Sequence, residues 1–133
     1  MRTSSLLLAA LLAACASAPP APVTTASGLV YQSLKEGSGT SPTATDTVRV
    51  HYRGTLTDGT VFDSSIKRGE PAEFPLSGVV PCWTEAVQKM KKGEKSQIVC
   101  PAATAYGDRG APPEIGPGAT LSFEVELLDF HKP

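Results

Sequence analysis

Residues 79–90 of this 133-residue chain read Val79-Val80-Pro81-Cys82-Trp83-Thr84-Glu85-Ala86-Val87-Gln88-Lys89-Met90 and contain its only tryptophan. Pro81 suits the first turn of a helix, where its missing N–H costs no hydrogen bond. Apolar residues then recur at helical spacing from Trp83 to Met90, and Lys91-Lys92-Gly93 predicts the helix end. A single short helix must bury its apolar face on a sheet. We therefore expect a binding site where helix, sheet and the entering loop meet around Trp83.

The composition indicates one loop-rich, mostly β domain. The chain contains twelve Gly and twelve Pro, which is many for its length, and that length suits a single domain. Its formal net charge of −1 gives no support to nucleic-acid binding or to electrostatic attachment to a membrane. We therefore expect no nucleic-acid partner.

Residues 1–14 have the features of a targeting segment and are excluded from the fold. Arg2 supplies a positive charge, residues 6–12 form an apolar run too short to span a membrane, and Leu12-Ala13-Ala14 precede Cys15. Small residues before a cysteine at this distance resemble a bacterial lipoprotein signal, in which Cys15 is lipidated and becomes the first residue of the mature chain. The alternative is an ordinary secretory peptide whose cleavage site happens to lie near a cysteine.

The lipoprotein interpretation also predicts a location. Ala16 follows the cysteine in place of an aspartate that would signal inner-membrane retention. We therefore expect a lipid-anchored protein of the bacterial cell envelope, in the outer membrane and facing the periplasm, with its N-terminal lipid as the only membrane contact. Residues 15–27 are rich in Ala, Pro, Ser and Thr and are predicted to be the lipidated cysteine and a flexible tether. Residues 28–133 are predicted to be the folded domain.

Alternation of polar and apolar residues predicts the strands of that domain. The clearest strand covers residues 47–56, with Tyr52 on its inner face and His51 on the opposite, solvated face. Asp58-Gly59 predicts a hairpin turn after it. The last strand places four apolar residues on one face: Leu121, Phe123, Val125 and Leu127. Further strands are predicted at residues 28–34, 61–63, 73–76 and 95–100, and loops at 64–71 and 101–118.

These elements predict an α+β fold, in which about five antiparallel strands form a half-barrel wrapped around one short helix. The loop at 101–118 is long for a compact domain, and such loops are usually functional. Neither His51 nor His131 has a Cys or a second His at metal-ligand spacing, so no metal site is predicted. Ser64-Ser65 has no base at the spacing of a nucleophile motif.

Five short motifs follow one another along the folded domain. They are Val50-His51-Tyr52-Arg53-Gly54, then Phe62-Asp63-Ser64-Ser65 after Asp58-Gly59, Val79-Val80-Pro81-Cys82-Trp83, Ala105-Tyr106-Gly107, and Ala119-Thr120-Leu121-Ser122-Phe123-Glu124-Val125-Glu126-Leu127. Their order and spacing resemble those of the FKBP-type peptidyl-prolyl cis–trans isomerases, the macrolide-binding immunophilins. The resemblance covers about residues 28–130 and is greatest to the members of the bacterial cell envelope.

The resemblance implies an isomerase site in an apolar cleft between helix and sheet. Its floor would be Trp83, and Asp63 would be the one carboxylate at its edge, with Arg68 or the Tyr52 hydroxyl as its partner. The resemblance also implies Phe62, Tyr106 and Phe123 as catalytic residues and Phe74, Val79, Val80 and Ile115 as substrate-binding residues. Without this context, apolar residues on a strand face would be interpreted as core, and Asp63 as a turn-capping group.

The chemistry of prolyl isomerisation agrees with such a cleft. The barrier to rotation is about 18–20 kcal/mol because amide resonance must be broken. The twisted transition state is less polar at its C–N unit than the planar amide, so an apolar, water-poor pocket favours it. We therefore expect no cofactor, metal or nucleophile. The expected substrates are proline-containing unfolded or exported polypeptides, with macrolide inhibitors as further ligands, and the protein is expected to be a monomer. The alternative is a non-catalytic, tethered peptide-binding module or chaperone that uses the same cleft.

The two remaining cysteines, Cys82 and Cys100, would be exported to an oxidising compartment. Cys82 lies at the predicted helix start and Cys100 at the end of the strand that follows it, so a disulfide between them is geometrically plausible. The alternative is two separate buried thiols.

Overall fold

A computed structural model describes residues 20–133, which form a seven-stranded antiparallel sheet with two helices. The predicted signal peptide and the predicted lipidation site at Cys15 lie outside the described residues. The strands are β1 (Val23–Thr24), β2 (Val30–Lys35), β3 (Thr47–Thr55), β4 (Val61–Ser64), β5 (Ala72–Pro75), β6 (Lys95–Cys100) and β7 (Leu121–His131), and the helices are α1 (Ser65–Arg68) and α2 (Pro81–Val87). Neither helix is long and apolar enough to cross a membrane.

The strands are arranged in the order β1-β2-β6-β7-β3-β4, and β5 also pairs with β3. Because β7 pairs with β3 along its whole length, β4 and β5 must share the opposite edge of β3. The turn of the β3–β4 hairpin is closed by a hydrogen bond from the Leu56 N–H to the Thr60 carbonyl, with Gly59 at φ +89°, as Asp58-Gly59 predicts.

The apolar face of α2 packs on the inner face of the sheet, which confirms the predicted fold class. In β3 and β7 buried residues alternate with half-buried or exposed ones, as expected, and all four predicted inner residues of β7 are buried. The buried residues of α2 join them in one core: Cys82, Trp83, Ala86 and Val87, followed by Met90. The sheet has seven strands where about five were predicted, and it remains open as a half-barrel.

α2 ends at Val87, before the Lys91-Lys92-Gly93 sequence that predicted its end. After Val87 the backbone tightens, because the Lys89 N–H donates to the Ala86 carbonyl at 3.0 Å and the Met90 N–H to the Val87 carbonyl at 3.1 Å. These bonds span three residues instead of the four of an α-helix. This tighter turn keeps Met90 fully buried. The apolar spacing from Trp83 to Met90 is therefore compatible with a helix that ends at Val87.

Two segments predicted to be irregular contain regular structure. Val23–Thr24, within the predicted tether, pairs with β2 and forms the edge of the sheet. The loop predicted at 64–71 contains α1, which begins after Ser64, whose side chain accepts a hydrogen bond from the Lys67 N–H, and ends at Gly69 with φ +83°. The side-chain cap and the left-handed glycine stabilise this single turn.

Cys82 and Cys100 form a disulfide between the start of α2 and the end of β6, with their Cα atoms 5.8 Å apart. Both residues are fully buried. The bond joins the helix to the sheet on the side opposite to β3, since β6 and β3 flank β7.

We expect the oxidised protein, made as residues 16–133, to show no thiol that an alkylating reagent can modify under native conditions. Reduction should expose two thiols after unfolding and lower the free energy of unfolding by about 3 kcal/mol, because the bond closes a loop of 18 residues. Intact mass with and without reductant measures the bond. Two modifiable thiols in the unreduced, denatured protein would contradict it.

Gly54 lies at a position of β3 where a side chain would not fit. A Cβ atom built there would lie 2.5 Å from Cζ of Phe62 and 2.9 Å from Cε1 of Phe123. The rings of these two residues meet edge to face, with centroids 5.6 Å apart, directly beside the glycine. The absence of a side chain at Gly54 therefore lets the two rings approach each other across the sheet.

We expect Gly54→Ala to lower the free energy of unfolding by about 1–3 kcal/mol, because the added methyl must displace packed rings. Thermal or denaturant unfolding measures the loss, and aromatic NMR shifts of Phe62 and Phe123 report the displacement. Gly116→Ala is the matched control, since a Cβ there would have no heavy atom within 4 Å and the backbone needs no positive φ. Equal stability of the two variants would show that the rings move at no cost.

Candidate active site

Trp83 is the centre of an aromatic cluster between α2 and the sheet. Its ring is nearly perpendicular to those of Tyr52, Phe74 and Phe123, with centroid distances of 5.4, 5.7 and 5.4 Å. Edge-to-face contacts of this kind are favourable beyond the apolar area that they bury. The indole comes from the first turn of α2, and its three partners come from β3, β5 and β7. The cluster therefore fixes the position of the helix on the sheet.

A cavity of about 510 Å³ opens beside this cluster. It is of the size usual for small-molecule or peptide side-chain sites. Its walls are mostly aromatic and aliphatic, and Asp63 contributes the only carboxylate. The structure brings together all but one of the predicted catalytic and substrate-binding residues: Tyr52, Phe62, Asp63, Phe74, Val79, Val80, Trp83, Tyr106 and Phe123 line the cavity, together with Gly78.

Ile115 does not line the cavity, and its role in substrate binding stays a prediction. The loop around it folds back on itself, because Ala111 and Ile115 exchange two backbone hydrogen bonds of 2.9 and 3.1 Å. Ile115 is 5% exposed and packs against the core. Gly78 lines the cavity and was missed. Gly78 ends the short 3-10 turn Leu76–Gly78, and its place directly before the predicted substrate-binding residue Val79 was the only signal in the sequence.

Asp63 is held at the cavity edge by both partners that the sequence suggested. The Tyr52 hydroxyl donates to its Oδ2 at 2.5 Å, and the Arg68 guanidinium donates to its Oδ1 at 2.6 Å. Arg68 also donates to the Tyr52 hydroxyl at 3.2 Å and lies over the Tyr52 ring, 5.8 Å from its centroid. The three side chains therefore form a closed triangle, in which the position of each depends on the other two.

The triangle determines the charge of the site. Burial raises the pKa of Asp63, but the hydrogen bonds from Tyr52 and Arg68 and the guanidinium charge outweigh burial and hold this pKa below its usual value. Burial and the hydrogen bond to Asp63 raise the pKa of Tyr52. At neutral pH the site therefore contains a neutral phenol and an ionised carboxylate. The stabilisation that Asp63 provides is present at neutral pH and is lost only as the pH falls through its lowered pKa.

The Asp63 side chain is 43% exposed and that of Arg68 is 50% exposed. Solvent screens such an ion pair, so its contribution to the stability of the fold is small. Its clearer effect is geometric, because Arg68 bonds to both the carboxylate and the phenol and holds them together at the cavity edge.

The prediction of a solvated His51 was wrong. Its side chain is half-buried, and Nδ1 lies 2.9 Å from the hydroxyl of Ser65. The distance matches that between a catalytic serine and its general base. However, Ser65 is fully buried, and its hydroxyl is also hydrogen-bonded to the backbone of Tyr52. A substrate therefore cannot reach it. Across residues 20–133, no three His, Cys, Asp or Glu side chains are grouped as metal ligands.

Comparison with known proteins agrees with this architecture. The family model described as FKBP-type peptidyl-prolyl cis-trans isomerase matches residues 38–128. The chain is 55% identical over 106 residues to the FKBP-type 22 kDa peptidyl-prolyl cis-trans isomerase of Escherichia coli, a match that covers 80% of this chain and 52% of the relative. It thus spans only about half the length of that curated relative.

Two solved structures share the fold. The crystal structure of FkpA from Escherichia coli has a TM-score of 0.82 at 43% identity, over 97% of this chain and 59% of that one. The crystal structure of a peptidyl-prolyl cis-trans isomerase from Pseudomonas syringae pv. tomato has a TM-score of 0.80 at 36% identity, over 99% of this chain and 98% of that one. With a family match over most of the folded domain and this cleft, the chain belongs to the FKBP-type peptidyl-prolyl cis–trans isomerase family.

Proposed function

We propose that this protein catalyses cis–trans isomerisation of X–Pro bonds in polypeptides and that the aromatic cavity is its active site. The observation that supports this most directly is the cavity itself. Its apolar walls enclose a space of about the size of a prolyl ring and its neighbours, and a single ordered carboxylate lies at its edge. Membership of the family implies substrates that contain proline.

The proposed mechanism is preferential binding of the twisted amide. Trp83 forms the floor on which the prolyl ring lies, and Phe62 and Phe123 exclude water from one side of the amide. The twisted C–N unit has lost resonance and is less polar than the planar amide, so a dry pocket stabilises it relative to the ground state. Every 1.4 kcal/mol of such differential binding raises the rate about tenfold.

The Asp63 triangle has an orienting role in this mechanism. An ionised carboxylate beside the cavity accepts hydrogen bonds and attracts the positive ends of backbone N–H dipoles, and the Tyr52 hydroxyl fixes its direction. Neither group has to transfer a proton, because the reaction is a rotation about a bond. The macrolide inhibitors are proposed as further ligands of the same apolar walls.

Substitutions in the cavity test this function. In an isomerisation assay with a proline-containing peptide, Phe62→Ala and Phe123→Ala should each lower kcat/KM about tenfold or more, because they open the wall to water. Asp63→Leu and Tyr52→Phe should lower kcat/KM without unfolding the domain, because the first removes the orienting carboxylate and the second removes the hydroxyl that fixes its direction. Trp83→Leu should have a milder effect, since an apolar floor survives.

Arg49→Ala is the control, because Arg49 is exposed on the face of β3 that points away from the cavity. The rate should also be nearly flat between about pH 6 and 8, since Asp63 stays ionised and Tyr52 neutral across this range. A bell-shaped profile would indicate an acid–base mechanism and contradict the proposal. A folded wild-type protein that binds peptides but does not accelerate isomerisation would support the alternative, a non-catalytic peptide-binding module or chaperone.

We further propose that the protein is a lipoprotein of the bacterial cell envelope, anchored through Cys15 in the outer membrane, facing the periplasm and monomeric. The supporting observations are the short apolar run, the small residues before Cys15 and the Pro-rich residues that connect it to β1. In this arrangement the cavity acts on exported polypeptides near the membrane.

Cys15→Ala should abolish membrane association and leave the precursor unprocessed or soluble, because the lipid is attached to that sulfur. Fractionation and mass spectrometry of the mature N-terminus measure this. Cys82→Ala with Cys100→Ala is the matched control and should leave membrane association intact. A wild-type protein that is fully soluble with a free thiol at Cys15 would contradict lipidation.

A further inference from the structure

The edge of β3 that faces α1 has a gap in its strand pairing. On this edge β4 pairs with residues Arg53–Thr55 and β5 with residues Thr47–Val50. Neither strand reaches His51 or Tyr52. The chain leaves the sheet at this point to form α1 and returns to it only at β5. The backbone of Tyr52 is buried here and needs hydrogen-bond partners, because buried unpaired backbone groups are costly.

The hydroxyl of Ser65 fills this gap. It accepts a hydrogen bond from the Tyr52 N–H at 2.7 Å and donates one to the Tyr52 carbonyl at 3.3 Å. His51 Nδ1 lies 2.9 Å from the same oxygen. A hydroxyl has one proton and two lone pairs, so all three contacts are satisfied when His51 carries its proton on Nδ1. One side chain thus replaces the two ladder hydrogen bonds that a strand residue would supply.

The position of Ser65 links this gap to the active site. It is the first residue of α1, and the last residue of the same turn is Arg68. Arg68 holds Asp63 at 2.6 Å and the Tyr52 hydroxyl at 3.2 Å. Ser65 therefore connects the first residue of α1 to the backbone of Tyr52, and Arg68 connects the last residue of α1 to the side chain of Tyr52. Without the hydrogen bonds of Ser65, the contact between α1 and Tyr52 would depend on the exposed side chains of Arg68 and Asp63.

We propose that Ser65 is a positioning residue of the active site, whose buried hydroxyl fixes α1 to the Tyr52 backbone and so holds Arg68 and Asp63 in place. It does not touch substrate and acts only through the Tyr52, Asp63 and Arg68 triangle. The effect on catalysis rests on the proposed isomerase function, but the effect on the geometry of the triangle does not.

The test uses Ser65→Ala in the full chain, with two readouts at a temperature where the variant is folded. The first is the Asp63 titration, followed by carboxyl ¹³C NMR. In the variant the pKa of Asp63 should rise towards its ordinary value, because Arg68 and Tyr52 no longer hold it. The second is kcat/KM for a proline-containing peptide, which should fall about tenfold. Both effects should be largely absent when Ser65→Ala is added to Arg68→Ala, since the connection is then already lost.

Ser96→Ala is the matched control. Ser96 is also a fully buried serine whose hydroxyl is hydrogen-bonded, to the Glu94 carboxylate at 2.7 Å, but it does not line or support the cavity. It should lose stability as Ser65→Ala does while leaving the Asp63 pKa and kcat/KM unchanged. This contrast separates a positioning role from a merely structural one, because a structural role would affect stability alone.

An unchanged Asp63 pKa and an unchanged kcat/KM in folded Ser65→Ala would overturn the proposal. If Ser65→Ala does not fold, Ser65→Cys decides by the same two readouts, since a thiol keeps the shape but forms much weaker hydrogen bonds. If the wild-type protein proves inactive, the isomerase proposal fails, and the Asp63 titration alone still decides whether Ser65 holds the triangle.

Discussion

The contact between the buried face of α2 and the inner face of the sheet is the interaction on which the rest of the structure depends. Trp83 is central to it, through perpendicular contacts with three rings from three different strands. Aromatic side chains bury about 150–250 Å² each and dominate the energetics of small cores. Because the same rings line the cavity, the packing that stabilises the fold also makes the walls of the site.

The active site adds one polar corner to this apolar frame. Asp63 and Arg68 are about half exposed, so their ion pair does little for stability, yet they bond to a phenol that is itself part of the core. The corner lies where β3 lacks a strand partner on one edge. An interrupted sheet thus leaves room for α1, and α1 brings a cation to the edge of an otherwise apolar cavity.

Several features were predictable because they follow from local rules. Alternation predicted the inner faces of β3 and β7, Asp58-Gly59 predicted the hairpin, and the spacing after Pro81 predicted the start of α2. The error at His51 has a physical cause. Periodicity gives the direction of a side chain from its own element but contains no information about what another element places there. His51 was therefore assigned to solvent, although the Ser65 hydroxyl of α1 lies 2.9 Å from its Nδ1.

The sequence by itself therefore determined the class of the fold, the buried faces of β3 and β7, and the motifs that identify the family. Only the tertiary structure decided which of these residues meet. It brought Asp63, Tyr52 and Arg68 into a triangle, turned Ile115 into the core, and placed the Ser65 hydroxyl in the gap on β3. The physical reason is that these contacts depend on register and on backbone hydrogen bonds between distant segments, which spacing along one segment cannot specify.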